Sequence, residues 1–168
     1  MYTKKQVARA IDHAVLKPDI TKDILKAHAQ MCIENEIFSM CVKPCDVSAT
    51  QELLANSNVQ VSCVLSFPHG ADTIPVKAFQ AKQAIKDGAR EIDMVMNIGR
   101  FLGADYHYVV EDIKAVVEVA HERGGLVKVI QESGFLTHDQ VAKACELAYI
   151  GGADFVKTST GFGPGKAT

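Results

Sequence analysis

The chain has 168 residues, 48% of them hydrophobic and 23% charged, which is enough apolar content for a substantial core and predicts one domain over residues 1–168. With 18 Lys+Arg against 20 Asp+Glu the net charge is −2, and no run of like charges stands out, which argues against a general nucleic-acid binder or a polybasic membrane anchor. Charged residues are scattered through the N-terminal MYTKKQVARAIDHAVLKPDI and no long apolar stretch follows, so neither secretion nor membrane spanning is expected and the cytoplasm is the expected location.

Segments rich in β-branched and apolar residues alternate with segments of helical period. Strands are expected to begin near Asp12, Phe38, Val61, Glu91, Leu126 and Asp154, at intervals of about 28 residues, the length of a βα unit in a parallel sheet. Between the third and fourth strands, Thr73 precedes Pro75 in a helical first turn, where a missing N–H costs nothing, and Gly88 closes that helix. Before the sixth strand, Thr137 with Gln140 reads as a capping box, and Gly151-Gly152 ends the helix that follows it.

Strand parity separates the two architectures that use this grammar. In EIDMVMN (residues 91–97) Glu91 and Asp93 share one face while Ile92, Met94 and Met96 share the other. The second strand sets Ser39, Cys41 and Lys43 opposite Met40 and Val42; the fifth sets Lys128, Ile130 and Glu132 opposite Val127 and Val129; the sixth sets Lys157 and Ser159 opposite Val156. An open doubly wound sheet buries both faces against helices and reads apolar on both. One apolar face and one charged face predict an α/β fold of the parallel (β/α)8 TIM-barrel type. A complete barrel takes about 250 residues, so the expectation is an incomplete barrel of about six βα units, lacking the last two strands.

A charge on an inner strand face is costly without a partner, so Asp93, Lys128 and Lys157 are expected to converge from the fourth, fifth and sixth strands. Two lysines facing one acid leave a cation in excess. A lysine beside another cation loses its proton more readily, and a neutral ε-amine is the nucleophile of Schiff-base chemistry on carbonyls. The spacing does not say which lysine attacks, and a structural ion-pair cluster is the competing reading.

The cysteines Cys32, Cys41, Cys45, Cys63 and Cys145 are irregularly spaced, which suits reduced thiols, and the C-x3-C of Cys41 and Cys45 lacks the other ligands of a zinc site. Glycines at 161, 163 and 165 lack the spacing and the following helix of a dinucleotide loop. The histidines show no i, i+4 pair, and surface or cap roles are expected for most, with His69 kept in view as a residue near the mouth.

IDHAVLKPDIT (residues 11–21), MCVKPCDV (40–47), SFPHG (66–70), GAREIDMVMNIG (88–99), LVKVIQESGFLT (126–137) and GADFVKTSTGFG (152–163) resemble, in order, the motifs of deoxyribose-phosphate aldolase. The resemblance implies a TIM barrel and a class I aldolase, needing no metal or organic cofactor. Such an enzyme reversibly cleaves 2-deoxy-D-ribose 5-phosphate to D-glyceraldehyde 3-phosphate and acetaldehyde. By position, Lys157 matches the Schiff-base lysine and Asp93 the acid that assists carbinolamine formation and proton transfer. Lys128 is a supporting inner residue, Asp12 belongs to a polar relay, and Cys41 lines the pocket near the acetaldehyde. Gly161 and Ser159 are the candidate substrate-binding residues, Gly161 offering backbone N–H groups with its neighbours.

The implied partners are a small phosphorylated sugar and aldehydes, with a homo-oligomer allowed and neither nucleic acid nor membrane. Members of the family carry two further βα units, with a second lysine and phosphate-binding loops. Their motifs do not occur in these residues, so an inactive relic with a regulatory or partner-binding role is the alternative, and an aldolase of unphosphorylated aldehydes a third reading. Ala14 and the Gln131-Glu132-Ser133 segment depart from the usual pattern.

Overall fold

The computed structural model describes residues 1–164. A short helix α1 (Lys4–Ala8) leads into β1 (Asp12–Val15), α2 (Lys22–Glu34), β2 (Ser39–Val42), α3 (Val47–Leu54), β3 (Gln60–Leu65), α4 (Ile74–Lys86), β4 (Glu91–Val95), α5 (Ile98–Leu102), α6 (Tyr106–His121), β5 (Leu126–Ile130), α7 (His138–Ile150) and β6 (Phe155–Lys157). All neighbouring strands are parallel, in the order β1-β2-β3-β4-β5-β6. The expected strand starts are met at Asp12, Glu91 and Leu126, and missed by one residue at Ser39, Gln60 and Phe155. The sequence pattern did not single out α1 or the short α5 that interrupts the β4–α6 crossover.

The helix signals act through their caps. Thr137 accepts from Gln140 N–H while the Gln140 side chain accepts from Thr137 N–H, the reciprocal arrangement that satisfies two donors at once. Thr73 occupies the N-cap of α4 with Pro75 in the first turn, but its side chain makes no capping bond. Gly151 caps α7, and Gly88 follows α4 with φ +113°, a conformation glycine adopts without strain.

Two residue layers follow from strand parity. Met40, Val42, Val61, Cys63, Leu65, Ile92, Met94, Val127 and Val129 pack with α2, α4, α6 and α7 in the main core. Ser39, Cys41, Ser62, Glu91, Asp93 and Lys128 lie on the other face, all buried. That face is buried because the sheet curls. Lys128 of β5 reaches to 3.3 Å from Asp12 of β1, whereas strands four steps apart in a flat sheet stand about 19 Å apart at the usual spacing. The parallel sheet is therefore a curled part of a TIM-type barrel, as strand parity predicts.

Gly70, after β3, pins the loop to the end of β4. Its φ is +67°, and a Cβ there would lie 2.0 Å from the Met96 carbonyl oxygen, a clash with backbone that no rotamer relieves. Gly70→Ala is expected to lower unfolding free energy by about 2–4 kcal/mol, measured by urea denaturation.

Candidate active site

Four strands, β1, β4, β5 and β6, deliver the charged residues of the inner face. Asp93, in mid β4, is fully buried and its Oδ2 lies 2.5 Å from Lys157 Nζ at the end of β6. Lys128 in β5 sits beside them, with Nζ 2.6 Å from Glu91, 3.3 Å from Asp12 and 3.5 Å from Asp93 Oδ1. Ser39 donates to Asp12 Oδ1 at 2.6 Å, tying β2 into the same network. The predicted convergence of Asp93, Lys128 and Lys157 is thus present, with Asp12 attached through Lys128.

The expected excess of cation is not. Three carboxylates, Asp12, Glu91 and Asp93, face the two lysines. Glu91 was visible on the polar parity of β4, but parity could not show that it would lie within bonding distance of Lys128. Burial opposes the charge on Lys157, yet the Asp93 carboxylate at 2.5 Å more than offsets it and leaves the pKa raised. Lys128 is likewise raised against burial, by Asp93, Glu91 and Asp12. Lys128 is therefore engaged in neutralising acids, the net shift at Lys157 is upward, and Lys157 rests as an ammonium.

Cys41 is fully buried with Sγ 3.8 Å from Asp93 Oδ2. Burial and the neighbouring carboxylate push its thiol up to about 12, so it lines the site as a neutral group and is no thiolate nucleophile. Asp93 Oδ1, 3.5 Å from Lys128, accepts no hydrogen bond among the described residues. This leaves one buried acceptor of the central acid uncommitted.

The segment after β6 is organised from β5. Glu132, buried and left-handed at φ 50°, accepts from both the backbone N–H (3.1 Å) and the hydroxyl of Thr160. Ser133 N–H also donates to Thr158 O at 2.8 Å. Glu132, in the segment that departs from the family pattern, is an anchor for the loop that follows Lys157. In that loop Ser159 is half-buried, and Gly161 is exposed at φ +85° with open space around it. Gly165 lies outside the described residues.

A cavity of about 620 Å³ opens at the same end of the sheet, lined by Leu16, Lys43, Val64, Phe67, His69 and Phe162 among others. Neither Lys157 nor Asp93 lines it. It adjoins Asp93 through Val64, which pairs in register with it, and within the cavity wall the Phe162 ring meets Phe67 edge-on at 5.4 Å between centroids. His69 is on its rim as expected. His13 and His28 touch at 2.9 Å, and His121 pairs with Asp154 at 2.9 Å, contacts between distant residues that histidine spacing did not reveal.

A profile of DeoC/LacD family aldolases matches residues 6–168. The chain is 49% identical over 165 residues to a deoxyribose-phosphate aldolase of Clostridium perfringens, covering 98% of this chain and 73% of that one. It is 50% identical over 167 residues to a deoxyribose-phosphate aldolase of Thermococcus kodakarensis, covering 98% and 75%. This chain belongs to the DeoC/LacD aldolase family. Among solved structures, the tetrameric deoxyribose phosphate aldolase from Aeropyrum pernix superposes with a TM-score of 0.89 at 25% identity, covering 96% of this chain and 68% of that one. As an aldolase of this family the protein is a lyase. Among the described residues no helix is long and apolar enough to cross a membrane.

Proposed function

We propose that the protein is a deoxyribose-phosphate aldolase that cleaves 2-deoxy-D-ribose 5-phosphate reversibly through a Schiff base on Lys157. The observation that carries this reading is the Lys157 Nζ to Asp93 Oδ2 contact of 2.5 Å inside the curled sheet, in a chain of this family. Lys157 rests as an ammonium, and Asp93 is placed to take its proton as the aldehyde carbonyl arrives. The freed amine adds to C1, giving a carbinolamine. Asp93 then returns the proton to the departing hydroxyl, and water leaves an iminium.

Acetaldehyde has two carbons, so the bond that breaks is C2–C3. Its electron pair flows into the iminium, the C3 hydroxyl proton passes to a base, and D-glyceraldehyde 3-phosphate departs from an enamine. Protonation of that enamine at C2 and hydrolysis release acetaldehyde and Lys157. The free acceptor on Asp93 Oδ1 suits a hydroxyl or water in that proton traffic. Lys128 holds Asp93 and its charge, Asp12 holds Lys128 in turn, and Cys41 supplies a neutral wall. Ser159 and the exposed backbone at Gly161 are the groups we assign to substrate. A homo-oligomer is the assembly we propose, on the likeness to the tetrameric Aeropyrum pernix enzyme. The retained Lys157–Asp93 contact gives the inactive alternative no support.

Incubation with deoxyribose 5-phosphate followed by borohydride tests the reading, because reduction locks the iminium as a secondary amine. An adduct mapped to Lys157 is expected; a folded protein with no adduct, or one modified elsewhere, overturns it. The raised Lys157 pKa also fixes the sign of a pH profile. The neutral amine is a minor species near neutrality, so the initial trapping rate should climb with pH, up to about tenfold per unit while the ammonium dominates. A rate that falls between pH 7 and 9, measured by quenched time points, contradicts the resting ammonium.

A further inference from the structure

A second ion pair lies behind the strand that carries Asp93, outside the mouth. Lys77 of α4 and Asp112 of α6 are both fully buried, with Nζ 2.5 Å from Oδ2. A helical lysine ordinarily runs its stem along apolar surface and keeps its head in water; this one turns inward. Burial pulls Lys77 down and pushes Asp112 up, the mark of charges taken out of water. An apolar pair of similar volume often replaces such an ion pair at no loss of stability. Stability alone therefore gives little reason for the pair.

What an apolar pair could not supply is a donor. Lys77 Nζ also donates to Val95 O at 2.9 Å, at the end of β4 and two residues beyond Asp93. The last register pair between β3 and β4 is Leu65 with Met94. Met96 N–H donates to Ile130 O on the β5 side, so the Val95 carbonyl of the same peptide points the opposite way, past the end of β3. Lys77 provides the partner that a longer β3 would have given, as a buried carbonyl requires.

We infer that Lys77, held by Asp112, is a positioning residue: by bonding the Val95 carbonyl it fixes the end of β4 and with it the Asp93 carboxylate against Lys157. This rests on the Schiff-base reading of Lys157. The Lys157–Asp93 contact leaves little slack, and misplacement of a reacting group by about 1 Å can cost on the order of 100-fold in rate.

Two variants separate positioning from stability. Lys77→Met with Asp112→Leu removes the donor to Val95 O while leaving no unpaired charge. Asp112→Asn keeps the donor and breaks the ion pair. With acetaldehyde and borohydride, the double variant should stay folded yet trap at saturating aldehyde about tenfold more slowly than the unaltered protein, with half-saturation changed less than about twofold. Asp112→Asn should be the less stable of the two in urea and still trap near the unaltered rate.

Rates that follow stability, a double variant that traps normally, or one that fails to fold each overturn the inference. Carbon-13 titration of Lys157 in lysine-labelled protein gives a readout that needs no turnover. Loss of the Asp93 contact should lower the Lys157 pKa by about one unit in the double variant; an unchanged value also overturns the inference. If the unaltered protein traps no aldehyde, the Schiff-base reading fails on its own, and the titration still decides the role of Lys77.

Discussion

Lys157→Arg is expected to abolish the borohydride-trapped adduct and to lower any cleavage of deoxyribose 5-phosphate by roughly 10⁴-fold or more, the scale at which loss of a covalent nucleophile registers. The guanidinium retains a positive charge against Asp93, whose Oδ2 is 2.5 Å from the native Nζ, so the buried acid keeps a counter-ion and the fold has no reason to fail. It cannot shed its proton near neutrality, however, and therefore cannot add to a carbonyl. Intact-mass and peptide spectra of the reduced protein check this directly. An adduct of undiminished yield on Lys157→Arg would place the nucleophile elsewhere, and Lys128 would be the first residue to map.

Lys128→Met is expected to cost about 3–5 kcal/mol of stability, the usual range when one partner of a buried charge network is removed. Its Nζ lies within 2.6–3.5 Å of Glu91, Asp12 and Asp93, so removal leaves three carboxylates with Lys157 as the remaining nearby cation among the described residues. The sign at Lys157 follows. More uncompensated negative charge favours the ammonium, so its pKa should rise further and trapping at pH 7 should slow. Raising the pH should restore part of the rate in this variant, whereas no pH restores it in Lys157→Arg. Urea denaturation and a pH series of trapping rates measure the two effects. Faster trapping at pH 7 would show that Lys157 loses its proton more readily without Lys128, and would overturn this charge balance.

Much of the architecture was legible along the chain because it depends on local signals. The alternation in EIDMVMN assigned Ile92, Met94 and Met96 to the helix-facing core and Glu91 and Asp93 to the inner face, where they lie. The Thr137–Gln140 box and the glycines after α4 and α7 set the helix ends for reasons of hydrogen bonding and backbone conformation within a few residues. The order of strands followed from the βα repeat, since sequential parallel strands joined by right-handed crossovers usually lie side by side.

The electrostatics of the site were not legible in this way. Sequence parity named Asp93, Lys128 and Lys157 as facing one interior, but Coulomb energy depends on distance, and the distances come from how tightly the sheet curls. Only that curl brings Asp12 of β1 to Lys128 of β5 at 3.3 Å and adds Glu91 at 2.6 Å, turning an expected excess of cation into an excess of acid. The same holds for Glu132 beneath Thr160 and for Lys77 under Val95, whose partners lie 28 and 18 residues away in sequence.

The sequence by itself determined which strand residues face inward, the ends of α4 and α7, and which chemical groups stand ready, because each is settled by neighbours along the chain. Tertiary structure alone decided which charges touch, because the curl of the sheet sets the balance of acid and lysine around Lys157.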